Sequence, residues 1–278
     1  MGVDRVASLP MYDFPELREA HDEFWGALAA RLDLAGLKDV PRTLTRGVSL
    51  GEVWGDDRLL FAQGCEYPLA KAFRDRVRVV AHPVYSAAGC DGARYRSAVI
   101  VRAAPDGADV DSARALAGLR GRRCVVNELD SNSGMNLLRA AVAPLAAPGG
   151  QFFASVVVSG SHLRSVEMVA SGEADVASID CVSFAHFQRL YPSLVSGVRV
   201  LGWTVSSPSL PYITSGSASD ATVQALRAAL ADVFDDDALA SARERLLLRG
   251  VDLAPPPGFG EVLALERQAA DDGYPVLR

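Results

Sequence analysis

The chain has 278 residues, 49% of them apolar and 22% charged, an ordinary balance for a folded protein and more than one small core requires. Its formal net charge of -6 excludes a general nucleic-acid or anionic-membrane binder, which would rely on excess lysine and arginine. Anion recognition stays open, because local donors set it rather than net charge.

In chain order, Val3 to Leu9 reads as a strand ending at Pro10. No basic and apolar leader precedes it, so the expected location is the cell envelope if a leader is missing from this sequence, and the cytoplasm otherwise. A helix follows from Pro15 to Leu34, its apolar face set by Leu17, Phe24, Leu28 and Leu32, with Gly36 just past its end. Short strands are expected near 42–45, 58–62 and 77–81, with a helix between the last two, and a longer apolar strand over 96–102. Helix 111–118, strand 124–126, a polar turn from Asn127 to Gly134 and a helix through Leu145 come next. Strand 152–158, helix 161–170, strand 175–179, helix 182–190 and strand 198–204 continue the alternation. A Ser/Pro-rich link follows over 206–211, then three helices near 218–233, 236–248 and 258–271, the last two separated by Pro255-Pro256-Pro257.

This alternation predicts an α/β protein with mostly parallel sheets flanked by helices. The strands at 96–102 and 198–204 bracket a segment long enough to fold as its own lobe. The expected lobes are 1–97 together with 206–278, and 98–205, joined by two crossings that act as a hinge. The last helices are assigned to packing on the first lobe. No stretch approaches the roughly 18 to 20 apolar residues of a membrane span, so no direct insertion is expected.

Three strand-to-helix turns gather small polar residues. The first is Asn127-Glu128-Leu129-Asp130-Ser131-Asn132-Ser133-Gly134. A helix start offers unpaired N–H groups and partial positive charge, so Ser131 and Ser133 beside it would cage a phosphoryl or carboxylate group. The plain alternative is an ordinary N-cap. The second turn, Ser159-Gly160-Ser161-His162, repeats the device and adds an imidazole that can donate to an oxyanion or simply to backbone. In the third, Asp180 stands where a strand gives way to a helix, placed to cap that helix or to meet a ligand donor. In the first lobe, Tyr12 and Gln63 follow strands at their carboxyl ends, where open α/β sheets bind ligands. Tyr12, Tyr67 and Tyr85 offer an aromatic wall, with plain packing the simpler role for each.

The cysteines, Cys65, Cys90, Cys124 and Cys181, form no CxxC pair, and the four histidines are scattered, so no metal or cofactor is expected. Cys65 and Cys90 either pair or remain partly buried thiols, the second being favoured without a secretion signal. Cys181 with His162 is the one thiol–imidazole combination that suggests an enzyme, and nothing orients it; no GxSxG, Walker-type loop or HExxH occurs.

The runs Asp130-Ser131-Asn132-Ser133-Gly134, Ser159-Gly160-Ser161-His162 and Gly172-Glu173-Ala174-Asp175-Val176-Ala177-Ser178-Ile179-Asp180, in this order and spacing, resemble the PhnD-like phosphate/phosphonate-binding proteins. Leu9-Pro10-Met11-Tyr12, Gln63 to Pro68 and Leu201-Gly202-Trp203-Thr204 also fit, so the likeness covers roughly residues 3 to 235. The resemblance implies a two-lobed type 2 periplasmic-binding-protein fold that captures a small oxyanion between its lobes for an ABC permease and ATPase. It places the oxyanion on Ser131, Asn132, Ser133 and Gly134, with Ser161 and His162 in support and Asp180 near a ligand amine where one exists. Asn132 stands where the family commonly has Thr, and acidic cleft residues are fewer than in aminophosphonate binders. The expected ligand-binding set is Tyr12, Gln63, Tyr85, Asp130, Ser131, Asn132, Ser133, Gly134, Ser161, His162 and Asp180, with no catalytic residue, in a monomer. Two rivals are an enzyme of the same fold acting on a small organic acid or pyrimidine precursor, and a cytoplasmic ligand sensor.

Overall fold

The computed structural model describes residues 5–103, 116–147, 150–254 and 259–278. Its strands are β1 (Val6–Ser8), β2 (Leu59–Gln63), β3 (Val77–Tyr85), β4 (Arg94–Tyr95), β5 (Ser97–Arg102), β6 (Arg123–Val126), β7 (Ser155–Val158), β8 (Val176–Asp180), β9 (Val198–Trp203), β10 (Ser207–Pro208), β11 (Tyr212–Ser215) and β12 (Leu248–Asp252). The helices are α1 (Arg18–Leu34), α2 (Leu50–Trp54), α3 (Glu66–Pro68), α4 (Leu137–Val142), α5 (His162–Ser171), α6 (Cys181–Leu190), α7 (Pro192–Val195), α8 (Asp220–Asp235), α9 (Ala240–Arg245) and α10 (Gly260–Asp271).

The chain divides into two compact units. The first holds residues up to Ser86, the short stretch Asp91–Ala93, and Pro208–Phe259. Its sheet runs β1-β2-β11-β3-β12. β1 pairs parallel with β2, while β11 runs antiparallel to both β2 and β3, so β1, β2 and β3 point one way. Helix α1 begins after a 3-10 turn at Pro15–Leu17, where proline's fixed φ and missing N–H suit a helix start. Its buried face carries Phe24, Trp25, Leu28 and Leu32 at helical spacing. Trp25 stacks on Phe61 with centroids 5.8 Å apart, and Phe61 lies 5.0 Å from Tyr212, which carries this core from helix to sheet.

The second unit holds Ala87–Cys90, Arg94–Ser207 and Gly260–Arg278. Its sheet runs β7-β6-β8-β5-β9. β6 pairs parallel with β7 and β8, and β5 runs antiparallel to β8 and β9, so β6, β7, β8 and β9 share a direction. Val125, Val126, Ala177, Ile179 and Ile100 are fully buried at its centre. With β6, β7 and β8 aligned, their carboxyl ends and the turns beyond them fall at one edge of the sheet.

The expected lobe boundary needs correction at the C-terminus. Residues 260–278 belong to the second unit, not the first, so the chain passes between units once more beyond Phe259. Asn136 Nδ2 donates to the Val262 carbonyl at 3.1 Å, and Arg139 Nη1 to the Pro275 carbonyl at 2.9 Å. The Phe152 N–H reaches the Arg278 carbonyl at 2.7 Å. Two strands arise where no element was expected, β11 between the link and the helix from 218, and β12 beginning at the last residue of the expected helix 236–248; the expected strand at 42–45 is irregular, held by the Thr45 N–H to the Ala7 carbonyl at 2.7 Å. The expected helix 236–248 shortens to α9 behind a 3-10 turn at Asp237–Leu239. Most of helix 111–118 and the triple proline lie outside the described residues.

Candidate functional site

The first polar turn leaves β6 and enters a wide π-type turn, Asn132–Asn136, before α4. The Ser131 hydroxyl accepts from the Gly134 N–H at 3.0 Å, a cap that removes one of the orphan donors of the helix start. Among the described residues nothing accepts from the Ser133 N–H. Glycine at 134 is a steric requirement: a Cβ there would sit 1.8 Å from Asn127 Oδ1. That Oδ1 is itself buried, with no hydrogen-bond partner among the described residues.

The second turn is pinned to the first. The Ser159 N–H donates to the Val126 carbonyl at 2.9 Å, and the Gly160 N–H to the Asn127 carbonyl at 3.0 Å. Gly160 takes a φ of +87°, in the left-handed region that glycine enters without a Cβ clash. Ser161 caps α5 by accepting from the Arg164 N–H at 3.1 Å, and nothing among the described residues accepts from the His162 N–H. The two turns meet at Ser133 Oγ and His162 Nε2, 2.9 Å apart. Ser178, on β8, closes the arrangement by donating to the Ser133 carbonyl at 2.6 Å.

His162 is partly exposed as a residue, while its Nδ1 is closed off and without a partner. Burial pushes the imidazole down to about 4, so it is neutral near pH 7. A neutral ring carries one donor and one acceptor nitrogen. In the tautomer with Nε2–H donating to Ser133 Oγ, the serine hydroxyl proton is free to turn toward an incoming anion.

The third turn is closed to an anion. Asp180 Oδ1 accepts from the Val182 N–H at 2.8 Å and the Ser183 N–H at 2.9 Å, so a carboxylate already occupies the start of α6. Asn132 is likewise engaged. Its amide donates to Tyr95 Oη at 3.0 Å and Ser207 Oγ at 2.9 Å, its carbonyl accepts from Asn136 Nδ2 at 2.9 Å, and it has no exposure. Asp180 thus caps a helix, and Asn132 stands in a buried network. Asp130 is exposed on the loop before the turn.

In the first unit, Tyr12 and Tyr85 are buried and pack edge to face at 5.4 Å. Gln63 Nε2 donates to Tyr85 Oη at 2.8 Å and to the Leu210 carbonyl at 3.0 Å. His21 Nε2 lies 3.1 Å from the Tyr12 carbonyl, and burial lowers its pKa. These side chains form an internal polar cluster rather than an open wall.

Cys181 and His162 do not make a dyad. His162 bonds Ser133, and Cys181 Sγ lies 3.4 Å from Cys90 Sγ. The Cys90 contact, burial and the nearby Asp180 charge all drive the Cys181 thiol pKa upward, the wrong direction for a nucleophile. The structure forms no disulfide among the four cysteines, and the thiol that Cys90 meets is that of Cys181. Among the described residues no cluster of His, Cys, Asp or Glu could hold a metal ion, and no helix is long and apolar enough to cross a membrane.

Residues 7–255 match the family model of the periplasmic substrate-binding protein of phosphonate ABC transporters. The chain belongs to this family. PhnD1 from Prochlorococcus marinus, solved with methylphosphonate, is similar with a TM-score of 0.75 and 12% identity, over 96% of this chain and 98% of that one. A binding-protein component of a phosphonate ABC transporter from Pseudomonas aeruginosa gives 0.69 and 15% identity, over 97% and 88%. A Xanthomonas citri protein solved with ATP gives 0.69 and 14%, over 97% and 99%. At these identities the likeness is one of fold. No curated protein matches this phosphonate-family chain in sequence.

Proposed function

We propose that this protein captures a small phosphorus oxyanion, a phosphonate or phosphate, on the joined turns at 131–134 and 159–162 of its second unit. It releases the ligand unchanged to an ABC permease worked by its ATPase, at the periplasmic face where its family operates. The observation that carries this reading is the 2.9 Å contact between Ser133 Oγ and His162 Nε2. It joins two helix starts whose Ser133 and His162 N–H groups have no acceptor among the described residues.

The chemistry is capture by fixed donors. Two N–H groups and the Ser133 hydroxyl replace part of the ligand's water shell, each hydrogen bond to the charged oxygens contributing about 1.5–3 kcal/mol. The partial positive charge at both helix starts adds to this. With His162 neutral, selectivity comes from donor geometry rather than from a fixed cation. Burial at Cys124, and the Cys90 contact together with burial at Cys181, hold these two as thiols rather than nucleophilic thiolates.

Isothermal titration of methylphosphonate, phosphate, sulfate and small carboxylates into the purified protein tests the reading. A phosphorus oxyanion should bind most tightly and be recovered unaltered. Binding of a carboxylate alone, or turnover of the bound ligand, would overturn it.

A further inference from the structure

Several arginines in the described structure pair with a carboxylate, Arg31 with Asp236, Arg46 with Asp13 and Arg78 with Asp220 among them. One pocket of the second unit gathers others that do not. It has a volume of about 450 Å³, within the range of small-molecule sites, and among the described residues its lining gathers Arg102, Arg122, Arg123 and Arg199 around a single acid, Asp175. Arg123 engages that acid with a forked pair of bonds, Nη2 to Oδ1 at 2.8 Å and Nε to Oδ2 at 3.1 Å, which holds the Asp175 carboxyl below its usual range. Arg122 adds only its field to the same carboxylate. Arg102 and Arg199 have no ion-pair partner among the described residues, and Arg199 Nε is buried without a hydrogen bond.

The pocket lies at the edge opposite the polar turns. Arg123 and Arg199 stand at or near the beginnings of β6 and β9, and Arg102 at the end of antiparallel β5. Gly172 keeps it open: in its left-handed conformation, with φ at +84°, a Cβ would approach Arg102 Nη1 to 3.0 Å. Gathering four guanidiniums around one carboxylate among the described residues is unfavourable in the free protein, and a chain with net charge -6 has carboxylates enough to avoid it.

We propose that this pocket is a second anion site, for a small molecule carrying two linked phosphoryl groups. One phosphoryl group brings at most about two negative charges, fewer than the excess of guanidiniums here, and fills little of the volume. Planar guanidinium forks match phosphoryl oxygens in pairs. Leu119 and Leu201 supply apolar wall for an organic portion.

The test is titration of inorganic pyrophosphate into the full chain, wild type against Arg102→Ala/Arg199→Ala, with methylphosphonate titrated in parallel. Pyrophosphate should bind the wild type, weaken with added salt, and lose at least about tenfold in the double variant, a difference near 1.4 kcal/mol. Methylphosphonate binding should be unchanged. No pyrophosphate binding at millimolar concentration, or binding that survives the arginine substitutions and falls instead in Ser133→Ala, overturns the second site. If the double variant does not fold, exposed Arg122→Ala gives the same reading: a severalfold loss supports the proposal, and unchanged affinity overturns it.

Discussion

At the scale of single residues, the joined turns separate side chains that present donors from those that hold the frame. Ser133→Ala removes the hydroxyl that bridges to His162, and oxyanion affinity should fall about 10- to 100-fold with little change in melting temperature. Calorimetric titration measures it, and an unchanged affinity would remove Ser133 from the site. Gly134→Ala acts through sterics instead. Its Cβ would meet Asn127 Oδ1 at 1.8 Å, so the side chain or the turn must shift, at a cost of about 1–3 kcal/mol in denaturant unfolding. Adding Asn127→Ala should recover much of that loss; a purely additive double variant contradicts the clash. His162 governs a third outcome. Its pKa is depressed by burial from 6.5 to about 4, so between those values the unfolded chain holds a proton that the folded chain does not. Stability should therefore fall as pH drops from about 6.5 toward 4, and His162→Gln should flatten that slope in thermal melts. His21, also depressed by burial, keeps its own share of the slope in the variant.

At the scale of elements, each helix start is either open or filled. Asp180 fills that of α6, so Asp180→Ala should lower stability by about 0.5–2 kcal/mol while leaving oxyanion affinity within twofold. A large loss of affinity with intact stability would instead return Asp180 to the ligand. The elements themselves were mostly readable. Helices α1, α5 and α6 announce themselves by periodic apolar faces and terminal signals, and the polar turns by serine and glycine after short valine-rich strands. β11 was hidden because Tyr212-Ile213-Thr214-Ser215 is four residues long and buried on both faces, without the alternation that marks a strand. β12 carries Gly250 and a register shift between Leu248 and Gly250, which dilutes its signal and follows the left-handed Leu247. In the site, Ser131 and Ser133 could be singled out locally. The engagement of Asn132 could not, since its partners Tyr95 and Ser207 lie 37 and 75 positions away. Nor could the role of Ser178, whose bond to the Ser133 carbonyl spans 45 positions.

For the whole molecule, the informative feature is the return of the chain to the second unit after Phe259. Deleting 260–278 should strip amide protection from β6, β7 and β8 in hydrogen exchange while β2 and β11 keep theirs. Equal loss in both units would mean that they fold as one cooperative body. The arginine pocket and the polar turns share one sheet, and β6 alone, four residues long, spans roughly 13 Å between the two edges.

That late return also orders events in time. A nascent chain is made from its amino end, and the first unit has its last strand once Asp252 has been added. The second unit begins earlier, at Ala87, yet its sheet edge near Phe152 and Phe153 waits for the Arg278 carbonyl that accepts from both. Its half-built apolar core is therefore the part of the molecule most exposed to misassociation during synthesis.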